Sequence, residues 1–368
     1  MYLMSKNNCL IENILENARW APSGDNMQTW RFEIKSENQF VIHGYDTREH
    51  CVYDLQGHAS QLAIGVLMES ISIAASEFEH NAKFVLRKDS PADKPTIDVL
   101  LEKDESIRSD PLFSYLPIRS VQRRAFKTTP LTAEQKVELE VSVGKFYKIK
   151  WVEGWKARLS AAFLMFKNGR LRLILPEAFP THSTIIEWNA RFSKDKIPDK
   201  AVGLDPVAIG LMKWAIKSWG RVSFLNTYLA GTILPRIELD LWPGINCAAH
   251  FIIVAEKAPV SVEDYLDAGR SIQRFWLTAT QLGLQLQPEM TPLIFSGYVR
   301  QDIQFTKEKS VFEYAQKLAR RFDSLLGGVD LEDAVFIGRI GCGKAAYARS
   351  IRLAVNELLL PLSDGGKG

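Results

Sequence analysis

The sequence predicts an α+β fold in two related halves, with two antiparallel or mixed sheets flanked by helices around long central helices. Three observations predict it. Short strand candidates alternate with helices along the chain. Two long apolar helices are expected at 57–78 and 261–284, each placing Gly four residues before Gln (Gly57 and Gln61, Gly269 and Gln273) after an acidic turn with aromatics. Beyond Pro111 to Pro117, which reads as a linker, the order helix, strand, long helix, strand begins again, and that restart implies internal duplication. The halves are then 1–110 and 111–368, the second carrying a helical insert at 155–241. A chain of 368 residues, 46% hydrophobic, can fill one large core or two fused ones, since single cores stop growing at roughly 250–300 residues.

In chain order, 8–20 reads as a helix with apolar positions at Leu10, Ile14, Leu15 and Ala18, stopped by Pro22, Ser23, Gly24 and Asp25. Trp30 to Ile34 alternates, and Gln39 to His43 is a short apolar run, so both are strand candidates. Small residues along 57–78 (Ala63, Gly65, Ala74 among them) let a central helix approach its neighbours closely. Thr96 to Glu102 is a further strand. In the second half, Leu131 to Val143 is helical behind a Thr132 N-cap, and Tyr147 to Val152 is a strand. After the insert come a strand at Ala249 to Ala255, the helix 261–284, a strand at Val335 to Ile340 and a helix at Ala345 to Leu360.

Composition excludes several classes. A net charge of +3 with scattered bases gives no case for nucleic acid. Cys9, Cys51, Cys247 and Cys342 show no metal-ligand spacing and read as reduced cytosolic thiols. The N-terminal stretch is polar and lacks a secretory core. The most membrane-like region, Val202 to Trp242, is interrupted by Lys213, Lys217 and Arg221. Its longest uncharged run, Val222 to Pro235, falls short of the ~20 residues a span needs. An apolar insert covered by protein is expected, with no membrane contact.

Four segments can carry chemistry. The turn at Pro22, Ser23, Asn26 and Gln28 offers short amides and a hydroxyl on a stiff backbone, suited to a heteroaromatic edge or to an ordinary helix-to-strand turn. Arg119, Ser120 and Arg123 fit a phosphate clamp or a solvated basic stretch. Gly338, Gly343 and Lys344 have P-loop spacing, but Ala345 stands where Ser or Thr is required, leaving an anion site or a Gly-rich turn. Gln287, Pro288, Glu289 and Met290 lie at the exit of the second long helix, as a ligand-site wall or a Pro-terminated loop.

Together these segments resemble the nitroreductase family. The likeness rests on APSGDNMQTWRFEI at 21–34, RSVQRRAF at 119–126, AGRSIQRFWLTATQLGLQLQP at 268–288 and RIGCGKAAYARS at 339–350. Members of ordinary length carry the Arg-Ser segment first and form homodimers with FMN at the interface. Here the Ala-Pro-Ser turn lies in the first half and the clamp in the second. The resemblance therefore implies a tandem nitroreductase-like pseudo-dimer, monomeric or further dimerised, with one flavin site and a degenerate second one. It implies that Arg119, Ser120 and Arg123 hold the phosphate and ribityl chain. Pro288, Glu289 and Met290 would lie beside the ring, Arg339 and Arg349 would come from the C-terminus, and Pro22, Ser23, Asn26 and Gln28 from the first half. Gln287-Pro-Glu-Met departs from the usual Glu-Gly pair at the ring.

The implied activity is an FMN-dependent oxidoreductase passing electrons from NAD(P)H to a small organic or peptide-derived substrate. The alternative is a storage or partner subunit holding FMN without turnover. Two-lobed relatives implied by the resemblance include some associated with ThiF-like adenylating partners. The insert, with Trp188, Arg191, Trp214, Trp219 and Arg221, reads as a lid or as extra core packing. No Ser/His/Asp or Cys/His constellation assembles. His43, His50, His58, His80, His182 and His250 are dispersed and read as structural or exposed.

Overall fold

The computed structural model describes residues 9–228, 231 and 233–361. The first eight residues of the polar N-terminal stretch, and positions 229, 230 and 232 of the uncharged run, lie outside the described residues. The fold is mixed α+β. Helix α1 (Leu10–Ala18) buries Ile11, Ile14, Leu15 and Ala18, one face at helical spacing. Strands β1 (Trp30–Ile34) and β2 (Gln39–Gly44) form a hairpin. Helix α2 (His58–Ser76) is buried along most of its length, and β3 (His80–Leu86) and β4 (Thr96–Lys103) complete an antiparallel sheet ordered β1-β2-β4-β3. β3 is an edge strand whose inner face, Ala82, Phe84 and Leu86, is only half-buried against the core, and it escaped the sequence reading.

In the second half, α3 (Ala133–Ser142) starts on a capping box between Thr132 and Gln135. β5 (Tyr147–Val152) follows, then the insert: α4 (Trp155–Ile174), α5 (Phe179–Thr184), the two-residue strands β6 (Ile186–Glu187), β7 (Phe192–Ser193) and β8 (Ile197–Pro198), α6 (Pro206–Ala215), α7 (Trp219–Tyr228), α8 (Ile233–Arg236), a π turn at Ile237–Leu241 and α9 (Trp242–Ile245). β9 (Ala249–Ala255), α10 (Val262–Gln281), β10 (Leu284–Pro288), α11 (Thr291–Arg300), α12 (Lys309–Leu326) and β11 (Ala334–Cys342) come next. The second sheet is antiparallel, ordered β10-β11-β9-β5. Counted within its own half, each sheet runs first, second, fourth, third strand across its width.

The central helices α2 and α10 cross at paired glycines. A Cβ on Gly65 would stand 2.0 Å from the Leu266 carbonyl oxygen, and one on Gly269 would stand 2.1 Å from that of Leu62. Only glycine permits this approach. Gly57 is therefore not the counterpart of Gly269. It caps α2 at a φ of +78°, and Gly65 occupies the mirrored place. Glu69 receives Arg270 and Arg274 across the crossing, and Gln273 donates to Ser70 at 2.9 Å.

A single hydrophobic core spans both sheets. The segment at 111–117 connects the halves but is no solvated linker, because Leu112 and Leu116 bury in that core. Two further expectations are corrected. Where a Pro-terminated loop was one reading of 283–292, β10 leads into α11, and α12 beyond them, which the sequence reading did not place, buries Val311, Ala315, Leu318 and Phe322 on one face. Residues 345–360 are not a helix. They run extended through β12 (Arg349–Ser350), which pairs with β7, to the short α13 (Val355–Leu358), and Leu360 then bonds Phe32 on the edge of β1. Tertiary contacts of Arg349 and Arg352 hold this segment extended against its helical propensity.

α2 is long and apolar enough to cross a membrane, and is mostly buried within the fold.

Candidate functional site

The turn after α1 is backbone-strained. Asp25, Asn26 and Gln28 all adopt left-handed conformations, with φ of 49°, 65° and 50°, which cost energy for residues other than glycine and collect at functional sites. The turn is held from several sides. Ser23 Oγ accepts from the Gln28 amide at 2.8 Å. The Gln28 side chain donates to the Lys194 carbonyl and accepts from the Leu353 amide. Asn26 donates to the carbonyls of Lys196 and Ile351. The insert and the C-terminal segment thus clamp a turn of the first half.

Residues 119–124 extend the second sheet, with the Gln122 amide donating to Leu286 O at 3.1 Å. Arg119 is 4% exposed, lies over the Trp276 ring at 4.6 Å and donates once, to Trp20 O. Its Nε is buried and finds no partner among the described residues. Arg123 donates to Ala201 O at 3.2 Å. Arg349 reaches the carbonyls of Pro117 and Ile118 and covers Trp20, while Arg352 donates to Ala21 O. Burial, followed by Arg352 and Arg349, pushes the Arg119 guanidinium well below the usual range. Burial lowers Arg123, Arg349 and Arg352 as well. Among the described residues no carboxylate forms an ion pair with any of these four; the charge of Asp25, on the same cavity wall, acts on Arg123, and the wall stays cationic overall.

This wall borders a cavity of about 790 Å³, within the range of small-molecule sites. Of the residues singled out from the sequence, Pro22, Ser23, Asn26, Arg119, Ser120, Arg123, Gln287, Pro288, Met290 and Arg349 line it. Gln28, Glu289 and Arg339 do not. Gln28 is the anchor of the strained turn. Arg339 donates to the carbonyls of Arg123 (2.6 Å) and Arg124 (3.1 Å), and Glu289 lies between it and His250, 3.5 Å from Arg339 Nε and 2.7 Å from His250 Nδ1. His250 Nε2 meets Gly244 O at 2.8 Å. Both ring nitrogens face acceptors, so the ring is an imidazolium. Burial alone would depress it, but Glu289 and the Cys247 thiol hold it well above the usual histidine value.

The glycines at 338–343 do not form a phosphate cradle. A Cβ at Gly338 would meet Gln287 O at 2.7 Å and one at Gly341 the Ala248 amide at 2.9 Å, so both serve close strand packing. No helix follows Lys344, whose carbonyl accepts from Gln122.

The insert forms another wall, through Arg172, Thr181, His182, Ile185, Ile197, Val202 and Asp240 among others. Here lies a pair that sequence reasoning missed. Tyr53 Oη is 2.9 Å from His182 Nε2. Burial and then Arg172 push His182 down to about 4, and burial raises the Tyr53 phenol, so both are neutral near pH 7 and the imidazole tautomer sets which of the two donates. Arg172 bonds Asp240 at 2.9 and 3.2 Å, and burial, partly offset by Arg172, raises Asp240 to about 6. Their sequence separation of 129 residues hid the Tyr53–His182 contact. The only local signal was the aromatic acidic turn before α2, and His182 is not merely a dispersed histidine. His58 also lines the cavity, stacked on Tyr265 at 3.9 Å.

No protein-family model matches this chain, and no curated protein matches it. Among solved structures it is similar to a nitroreductase-like family protein from Bacillus cereus, at 12% identity and a TM-score of 0.34, over 70% of this chain and 97% of that one.

Proposed function

We propose that the chain is an FMN-dependent oxidoreductase of the nitroreductase type, with one flavin site shared between two related halves. The observation that carries this reading is the set of buried polar atoms without partners on the cavity wall: Arg119 Nε, Gln287 Oε1, Asn26 Oδ1 and Thr29 Oγ1, with Arg172 Nε and Thr181 Oγ1 on the side of the insert, among the described residues. Buried polar atoms demand partners. A phosphate answers Arg119, Ser120 and Arg123, and a ring edge with N–H and C=O groups answers Gln287 and Asn26. FMN carries both. The matching strand orders and the Gly65–Gly269 crossing support internal duplication, by which one chain does what the family resemblance assigns to a homodimer.

When bound, FMN would supply electron transfer between NAD(P)H and a small organic or peptide-derived acceptor. The chain's own residues supply the rest. The arginine wall neutralises and orients the anionic end, the strained turn fixes the opposite side, and the insert excludes water. Tyr53 holds a transferable proton at its hydroxyl on the cavity wall, within hydrogen-bond reach of His182 Nε2.

The test is the spectrum of the purified protein. One FMN per chain, bleached by NAD(P)H without air, is the expected result, and a colourless protein that takes up no FMN overturns the proposal. Tyr53→Phe should bind FMN normally and turn over at least about 100-fold more slowly; unchanged turnover removes Tyr53 from proton transfer. The wall contributed by the insert favours a second reading, storage without turnover, which a yellow protein unbleached by NAD(P)H would support.

A further inference from the structure

Helix α6 is inside out. Its buried side carries Ala208 and Ala215, while Val207, Leu211 and Trp214 form a stripe at i, i+4, i+7 that faces solvent, exposed by 82%, 43% and 43%. An amphipathic helix on a globular core does the reverse. Phe224 on α7, Ile233 and Leu234 on α8, and Trp242 add further exposed apolar chains on the same insert. Among the described residues the stripe on α6 stays exposed, and an exposed apolar stripe marks a contact site.

The charge along α6 and the start of α7 is basic. From Pro206 to Pro235 the sequence has no Asp or Glu, and it carries Lys213, Lys217 and Arg221; Arg236, next in the chain, is buried against Phe166. Arg221 lies over the Trp214 ring at 4.8 Å and donates to the Trp214 carbonyl, which places a cation at the stripe itself. Lys213 lies over Trp188 at 5.5 Å, and Lys217 is exposed at the helix end. The nearest acids lie at the margins: Asp205 caps α6 and its amide donates to Glu238, and Asp240 is paired with Arg172.

We infer that this face of the insert docks on an anionic phospholipid surface. Tryptophan and aliphatic side chains enter the headgroup boundary while lysine and arginine meet lipid phosphates, the arrangement of an interfacial helix. With ten residues in α6, a span is excluded. A second copy of this chain is the poorer occupant, because a two-fold contact would set Lys217 and Arg221 against their own counterparts.

The test is co-sedimentation of the full chain with phosphatidylcholine vesicles and with vesicles in which phosphatidylglycerol replaces part of the lipid. Anionic vesicles should bind at least about tenfold more protein, and each base contributes about fivefold. Leu211→Asp with Trp214→Asp should abolish sedimentation, and Lys217→Glu with Arg221→Glu should cut it by more than about tenfold. Quenching of wild-type tryptophan fluorescence by brominated lipid needs no variant and should accompany binding. Absence of sedimentation with anionic vesicles at low salt overturns the inference, as does equal binding to neutral vesicles. A wild-type dimer that Leu211→Asp dissolves would assign the face to a second copy and overturn it as well.

Discussion

Arg119 and Arg339 both serve the strip of chain around residues 119–124, yet they end in opposite electrical conditions. Arg339, 1% exposed, faces the Glu289 carboxylate and spends two donors on the carbonyls of Arg123 and Arg124. Arg119, 4% exposed, has one carbonyl, one aromatic face and an orphaned Nε. The difference separates two jobs that the same residue type performs. A buried cation compensated by a carboxylate fixes backbone, even though Arg339 Nε, like Arg119 Nε, finds no hydrogen-bond partner among the described residues. An uncompensated one at a cavity wall is left to pair with the charge of a ligand. Both arginines had been grouped as flavin contacts in the sequence reading, and burial alone does not tell them apart.

The largest effect should come from breaking the compensated side. Glu289→Gln removes the carboxylate between the His250 imidazolium and Arg339 and leaves two buried cations facing each other. A loss of about 3–5 kcal/mol of stability is expected in denaturant unfolding. A loss under about 1 kcal/mol would show that Arg339 and His250 do not depend on this anion. The uncompensated side should respond the other way. Arg119→Met removes an uncompensated buried cation at similar volume, so the ligand-free protein should melt within a few degrees of wild type. Its FMN affinity should fall by roughly 1.5–3 kcal/mol, about 10- to 150-fold by isothermal titration. Equal affinity would take Arg119 out of the phosphate site.

What was legible in the sequence follows the range of the interactions involved. Elements set by local periodicity were readable: α1 from Ile14, Leu15 and Ala18, α2 and α10 from their apolar runs, and α3 from the Thr132 cap. The segments 22–28 and 119–123 were also singled out, and most of their named residues line the cavity. Features set by distant partners were not. The helix expected at 345–360 is overridden by contacts of Arg349 and Arg352 with residues 117, 118 and 21. β3 alternates half-buried and exposed residues, but the exposed Val85 between Phe84 and Leu86 blurs that period in the sequence. Gly57 and Gly269 match as letters, but only the crossing shows that Gly65 is the partner of Gly269. The Tyr53–His182 pair and the Arg172–Asp240 pair join the first half to the insert, or two parts of the insert, and no spacing announces them.

The smallest expected effect sharpens the same comparison by pH. The His250 imidazolium is held above its ordinary value of 6.5, so the folded state binds its proton more tightly than the unfolded chain. That contribution is fully present below about pH 6.5 and is lost as pH rises through the folded value. His58 and His182 are depressed to about 4 by burial, so between about 4 and 6.5 the unfolded chain binds more protons and stability falls with acid. Asp240, raised to about 6 by burial, binds its proton more tightly in the folded state and opposes that acidic trend. On the alkaline side His250 should supply a decline of about 1 kcal/mol between roughly pH 6.5 and 7.5. Denaturation midpoints of His250→Gln across that window should be flat, while His182→Gln should weaken the destabilisation by acid. If the His250→Gln protein keeps the alkaline decline, the Glu289 network holds a neutral imidazole, and Glu289 then answers Arg339 alone.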